Sequence, residues 1–151
     1  MHTNDEEFVE TYLLYMLAQA SDAASGAFHA QLATQNVPVS TWRILASLYP
    51  EAMLNVGELA KKCLTKQSTL SRQLDRLCTD GLATRTHEST DRRGVLVQLT
   101  HKGQDLASQL IEQAKAHESE ILSRHSQKEI EAFKSILADI TAPAPATGRK
   151  R

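Results

Sequence analysis

Apolar residues in the middle of the chain recur at helical spacing. Leu70, Leu74 and Leu77 fall at positions i, i+4 and i+7, which places them on one face of a helix. Thr65 is a suitable N-cap before this stretch, and Gly81 is a suitable stop after it. The pattern therefore predicts a helix with a leucine face toward a core and a polar face toward solvent.

A two-stranded ribbon is predicted directly after this helix. Residues 82–87 and 95–99 alternate apolar and polar side chains, which is the period of a β-strand. Residues 88–94 lie between them and form a turn-rich tip that contains two arginines. A helix with a polar face followed by a ribbon with a basic tip is typical of a winged helix-turn-helix.

Helical spacing and capping signals predict further helices on both sides. One long helix is expected over residues 5–34, and a second from Ser40. Asn55 opens a third, with an acidic residue three positions later as in a capping box. After the ribbon, Thr100 starts a fifth helix, and Ser126 begins a second capping box. The predicted fold is mainly α with a small β-ribbon and six helices.

The same patterns predict how the chain is organised. Residues 38–99 are interpreted as a DNA-binding lobe. Residues 5–34 are interpreted as part of a helical dimerisation region, because the first helix is too long and too apolar on several sides to cover a small core alone. The expected assembly is a homodimer. Residues 141–151 contain no core residues and are predicted to be a disordered tail.

Composition narrows the class of protein. The 151 residues fit one domain of ordinary size, and 41% of them are hydrophobic, which is enough for a core. No apolar run approaches the ~20 residues of a membrane span, and the acidic N-terminus lacks a signal-type apolar block. The sequence therefore predicts a cytoplasmic protein without a membrane partner.

Charge is distributed unevenly along the chain. The net charge is −1, which by itself does not favour binding to nucleic acid. Residues 61–102, however, hold nine basic and four acidic side chains, a net +5, while the remainder holds eight basic and fourteen acidic ones, a net −6. Such asymmetry is the electrostatic footprint of a local phosphate-binding surface.

The polar face of the leucine-backed helix carries the groups that recognise DNA. Hydroxyls and guanidiniums bond to phosphate oxygens and base edges, and a helix fits the major groove. Arginines at a ribbon tip can enter a narrow minor groove, where the negative potential is enhanced. An alternative for Arg76 is an ion pair within the protein. The predicted DNA contacts are Lys66, Ser68, Thr69, Arg72, Arg76, Arg92 and Arg93.

Three segments resemble the MarR family of bacterial regulators. Residues 91–103, DRRGVLVQLTHKG, resemble the family's DxR wing followed by its LTxxG motif. Residues 69–82 are similar to its recognition helix, and residues 39–48 to its second helix. The resemblance implies an obligate homodimer on a pseudo-palindromic operator in double-stranded DNA, with residues 5–34 and 100–140 as its helical dimerisation region. It also implies that Asp91 pairs with a nearby arginine and stabilises the wing tip.

The resemblance further implies an effector pocket between the dimerisation helices and the DNA-binding lobe. Its aromatic rings and few polar groups suit a phenolic ligand, although the same rings could belong to the core. Residues 13–17 read LLYML, whereas the branch of the family that senses aromatic acids has an arginine in place of Met16. A phenol, an aromatic aldehyde or an aromatic acyl thioester is therefore favoured over a benzoate. The candidate ligand-binding residues are Tyr12, Tyr15, Met16, Gln19, Trp42 and Arg43.

The expected function is a repressor that releases its operator on binding a small aromatic compound and controls aromatic catabolism. Alternatives are a drug- or oxidant-responsive regulator of efflux or stress genes, and a DNA binder without a ligand that a protein partner releases. Cys63 and Cys78 lie on apolar stripes, and the histidines are scattered, so no metal or cofactor is expected. The chain has neither a glycine-rich phosphate loop nor a G-x-S-x-G elbow, which argues against an enzyme.

Overall fold

The fold is a mainly helical one with a small antiparallel sheet, as predicted. The computed structural model describes residues 5–87 and 94–143, and it describes side chains from residue 8 onward. The elements in chain order are α1 (Asp5–Thr11), α2 (Leu13–Thr34), α3 (Val39–Leu48), β1 (Leu54–Asn55), α4 (Val56–Lys62), α5 (Gln67–Thr79), β2 (Ala83–His87), β3 (Val95–Leu99), α6 (His101–Ile121) and α7 (Gln127–Thr141).

The prediction of six helices was wrong at one place, because the expected helix over residues 5–34 is interrupted at Tyr12. The hydroxyl of Thr11 donates to the carbonyl of Phe8, the group that would accept from the Tyr12 amide in a continuous helix. That amide bonds at 3.4 Å to Val9 instead. Tyr12 has an extended backbone, with φ −73° and ψ 118°, and this conformation separates α1 from α2.

The sheet has three strands in the order β1–β3–β2, and both pairs are antiparallel. Strands β2 and β3 form the predicted ribbon, with Arg85 opposite Val97 and His87 opposite Val95. The sequence did not predict β1, which pairs Leu54 with Val97 on the other edge of β3. A strand of two residues shows no alternation of its own.

The core lies where the apolar spacing predicted it. Leu70, Leu74 and Leu77 of α5 are buried and pack with leucine and isoleucine side chains from the surrounding elements. Val97 brings the ribbon into the same cluster. Because one face of α5 is fixed in this core, the opposite face is held toward solvent. The other fully buried large side chains are Leu32, Ile44, Leu45, Leu48, Leu59 and Leu110.

Two helix starts differ from the predictions, whereas the capping boxes at Asn55 and Ser126 are confirmed. Pro38, not Ser40, is the N-cap of α3, and its carbonyl accepts from the amide of Trp42. Lys66, not Thr65, is the N-cap of α5. Because the amide of Thr65 bonds back to Ala60, this residue closes α4 instead of opening α5.

By its internal contacts the chain divides into residues 1–115 and residues 116–151. In the second unit, Lys134 forms an ion pair with Glu118 at 3.0 Å. The Ser126 amide and hydroxyl donate to Glu129 and lower the pKa of its carboxyl group. Helix α7 ends at Thr141, where the predicted tail begins, and residues 144–151 lie outside the described chain.

Candidate nucleic-acid interface

Helix α5 presents the predicted polar face. Lys66 is its N-cap, and the side chains at this cap and on the face are exposed. The leucines that point the other way are buried, so the helix cannot turn this face inward without emptying the core. The predicted contacts that lie on this face are Lys66, Ser68, Thr69, Arg72 and Arg76.

A tight turn connects α4 to α5. Leu64 is its central residue, with a left-handed φ of 54° and a side chain that is 85% exposed. The amide of Leu64 bonds to Lys61, and that of Thr65 bonds to Ala60, which together satisfy carbonyls at the end of α4. The two helices that this turn connects are in contact and form the helix-turn-helix unit.

A surface groove of about 230 Å³ runs between the start of α3 and the exposed side of α5. Arg72 and Arg76 line one wall, and Ser40 and Thr41 line the other. Sequence reasoning missed Thr41 and assigned Ser40 only a capping role, because the groove is formed by elements about thirty residues apart. Two guanidiniums opposite two hydroxyls can hold a phosphate group.

Among residues 5–87 and 94–143, no acidic side chain forms an ion pair with Arg76. These residues therefore give no support to the alternative that Arg76 is held in an ion pair. Its predicted partner Asp91 lies outside the described part of the chain, as do Arg92 and Arg93. Strands β2 and β3 remain paired up to His87 and Val95, the residues on either side of the ribbon tip of residues 88–94.

An ion pair between Arg85 and Asp75 joins the ribbon to α5. The guanidinium of Arg85 donates to the Asp75 carboxylate at 2.6 Å and to the carbonyl of Ser71 at 3.2 Å. The Asp75 side chain is 68% exposed, so the pair contributes little to stability. It nevertheless links β2 to α5 and places a cation beside the acid at the edge of the basic face.

The six predicted effector residues fall into two groups. Tyr12, Tyr15, Met16 and Gln19 are exposed at the start of α2 or just before it. Trp42 and Arg43 lie on α3. Arg43 is exposed, and Trp42 is half-buried with its ring 5.3 Å from that of Phe28 in an edge-to-face arrangement.

Helical geometry separates these groups within one chain. Met16 precedes Phe28 by twelve helical positions, which corresponds to ~18 Å along the axis of α2. Tyr12 lies farther still from Phe28 and stacks on Phe8 at 5.1 Å. One small ring therefore cannot contact Tyr12 and Trp42 of the same chain.

Arg43 and Cys63 lie near each other. Burial raises the pKa of the Cys63 thiol, partly offset by its contact with the Ser47 hydroxyl at 3.7 Å and by the charge of Arg43. A thiol with a raised pKa holds little thiolate, which disfavours oxidation sensing at this position. Cys78 is a half-buried free thiol on α5. The described histidines, cysteines and carboxylates form no group that could hold a metal ion.

Helices α4 and α5 and the ribbon of β2 and β3 define a winged helix-turn-helix DNA-binding protein. The MarR family model matches residues 38–95. The transcriptional repressor MdtR of Bacillus subtilis is 31% identical over 110 residues, which cover 73% of this chain and 71% of that protein. The chain belongs to the MarR family of transcriptional regulators. Within the described residues, no helix is long and apolar enough to cross a membrane.

Solved structures and a second curated relative agree with this assignment. A MarR family regulator from Silicibacter pomeroyi DSS-3 is 37% identical, with a TM-score of 0.78 over 89% of this chain and 98% of its own. NadR in complex with 4-hydroxyphenylacetate is 27% identical, with a TM-score of 0.76 over 82% of this chain and 88% of its own. The homoprotocatechuate degradative operon repressor of Escherichia coli is 25% identical, covering 86% of this chain and 88% of that protein.

Proposed function

We propose that this regulator is a repressor that binds a pseudo-palindromic operator as a homodimer, with α5 of each protomer in the major groove. The observation that carries this proposal is the exposed face of α5, whose arginines line a groove opposite the hydroxyls of α3. The buried leucines behind this face keep it presented to DNA. Arginine side chains then reach base edges or phosphates from a rigid helix.

Exposed apolar side chains support the homodimer. They are concentrated in the first and last helices of the chain, which are the segments proposed to form the dimerisation region. A monomer rarely leaves so many large apolar side chains in water, and a second copy of the same surfaces would cover them. In these helices the exposed large apolar side chains are Phe8, Val9, Tyr12, Leu13, Leu14, Tyr15 and Met16 toward one end of the chain, and Ile121, Phe133, Ile136 and Ile140 toward the other; Met53 and Leu64 are exposed between them.

Salt dependence tests the proposal. Each phosphate contact releases condensed counterions, so the logarithm of the binding constant should fall linearly with the logarithm of salt concentration. With several contacts in each protomer, we expect a loss of ~10³-fold or more between 50 and 200 mM salt. The measurement is fluorescence anisotropy on a palindrome selected from random DNA. A flat salt profile, or a monomer on the DNA, would refute the proposal.

We further propose that a small aromatic compound releases the operator. Support comes from the complex of the similar protein NadR with 4-hydroxyphenylacetate and from the name of the homoprotocatechuate operon repressor. Because Tyr12 and Trp42 lie too far apart within one chain, a pocket that uses both needs the start of α2 from one protomer and α3 from its partner. Such a pocket would exist only in the dimer.

Release requires the ligand to prefer a dimer whose recognition helices are wrongly spaced. A tenfold loss of operator binding needs only ~1.4 kcal/mol of coupling free energy. Met16 offers no positive charge to a carboxylate. We therefore expect phenols, aromatic aldehydes or coenzyme A thioesters, with the charged part of the thioester near Arg43, to act more strongly than benzoates.

The test is a panel of benzoates, hydroxycinnamates, their aldehydes and their thioesters in the same DNA-binding assay. Release by benzoates alone would contradict the Met16 argument, and release by no compound would favour regulation by a protein partner. The variant Met16→Arg should shift the preference toward the acids. If this variant responds like the parent, Met16 does not line the pocket.

A further inference from the structure

The end of α5 is joined to the start of α6 by hydrogen bonds to three consecutive carbonyls. The ammonium group of Lys102 donates to Asp80 at 2.9 Å, the hydroxyl of Thr100 donates to Gly81 at 2.6 Å, and the amide of Thr100 donates to Leu82 at 3.1 Å. Asp80 is the C-cap of α5, and carbonyls at a helix end need partners from outside the helix. Here the next long helix provides them, and we call this contact the α5–α6 joint.

Gly103 allows the two segments to approach this closely. A Cβ atom at this position would lie 2.0 Å from the carbonyl oxygen of Leu82 and 3.0 Å from its carbonyl carbon. Both are main-chain atoms, so no side-chain rotation can relieve the clash. The amide of Gly103 also donates to the Thr100 hydroxyl at 3.0 Å, which caps α6 in the same place. Thr100 and Gly103 belong to the LTxxG segment that the sequence singled out.

We propose that Thr100 and Gly103 are positioning residues that set the angle between the recognition helix and α6, and thereby the half-site spacing that the dimer accepts. The proposal rests on the dimer described under the proposed function. If α6 belongs to the dimer base, a tilt at the joint moves the two recognition helices in opposite directions. A small change at the joint therefore becomes a change in their separation, which must match one turn of DNA, about 34–36 Å.

The test compares Gly103→Ala with the matched control Gly26→Ala. Both variants add one methyl group to a helix, but a Cβ atom at Gly26 meets nothing within 4 Å. Binding is measured to the operator selected by the parent, to operators with one base pair added or removed between half-sites, and to a single half-site. We expect Gly103→Ala to bind the operator with the parent spacing at least tenfold more weakly and to prefer a different spacing. Gly26→Ala should have the affinity and the spacing preference of the parent.

If Gly103→Ala lost affinity equally for all operator spacings and for the single half-site, the proposal would be overturned. An unchanged spacing preference would also overturn it. Thr100→Val supplies a second variant that adds no bulk at the glycine. It removes the hydrogen bonds of the Thr100 hydroxyl to Gly81 and Gly103 and should change the preferred spacing. Thr100→Ser keeps a hydroxyl at this position and should have the parental spacing preference.

Hydrogen exchange separates failure of the joint from failure of the proposed function. The amide of Thr100 is held by Leu82, so its exchange should be at least tenfold faster in Gly103→Ala than in Gly26→Ala. If the parent selects no DNA, the proposed function fails and this measurement decides whether the joint exists. Equal exchange rates in the two variants would overturn the joint itself.

Discussion

Leu74→Ala is expected to lower the free energy of unfolding by about 2–5 kcal/mol. The Leu74 side chain is 0% exposed and lies between two other buried leucines of α5, so its loss leaves a cavity that the surrounding core fills only in part. Because domains of this size are stable by only about 5–15 kcal/mol, this loss is a large fraction of the total.

Leu64→Ala is the matched control for this prediction. It removes the same atoms from a side chain that is 85% exposed, and we expect a change within about 0.5 kcal/mol. Urea unfolding followed by circular dichroism, at one fixed protomer concentration, provides both values. Equal destabilisation by the two variants would show that the leucine face of α5 does not anchor the helix.

Arg72→Ala should weaken operator binding by about 1–3 kcal/mol and relax the preference at one base position in each half-site. Arg72 is exposed on α5 and lines the groove opposite Ser40 and Thr41, so its guanidinium can reach either a base edge or a phosphate. A base contact predicts a change of preference. A phosphate contact predicts uniform weakening and a salt slope smaller by about one.

Two further variants make the result for Arg72 interpretable. Arg124→Ala removes an exposed arginine outside the positively charged stretch of residues 61–102 and should leave operator affinity and base preference unchanged. Arg93→Ala should weaken binding without altering preferences in the major groove. Affinity and selection from a randomised operator are measured for all three variants. If base preferences survive in Arg72→Ala and shift in Arg93→Ala, the helix and the wing have the opposite roles.

The sequence predicted those features that local chemistry decides. The spacing of Leu70, Leu74 and Leu77 requires a buried helical face, and that face is buried. The capping boxes at Asn55 and Ser126 depend on residues only three positions apart, and both form. Periodicity and local hydrogen bonding therefore fixed much of the fold and the orientation of α5.

Features that depend on competition or on distant packing were not predictable in this way. The apolar period runs through Tyr12 without interruption, but the backbone of Tyr12 is extended and the helix breaks there. Strand β1 exists because Leu54 meets Val97, which is far away in the chain. Likewise, Thr41 joins the candidate interface only because α3 packs beside α5.

Because Arg85 and Asp75 are in contact, evolutionary substitutions at these two positions, which are ten residues apart, depend on each other. Loss of Arg85 alone would leave an uncompensated carboxylate beside the face proposed to meet DNA, whereas loss of Asp75 alone would free a cation from the ribbon. Each change has a different consequence when the other residue has already changed, so their effects are not additive. Divergence of the recognition helix is therefore constrained by the strand beside it, and the two positions should covary among descendants.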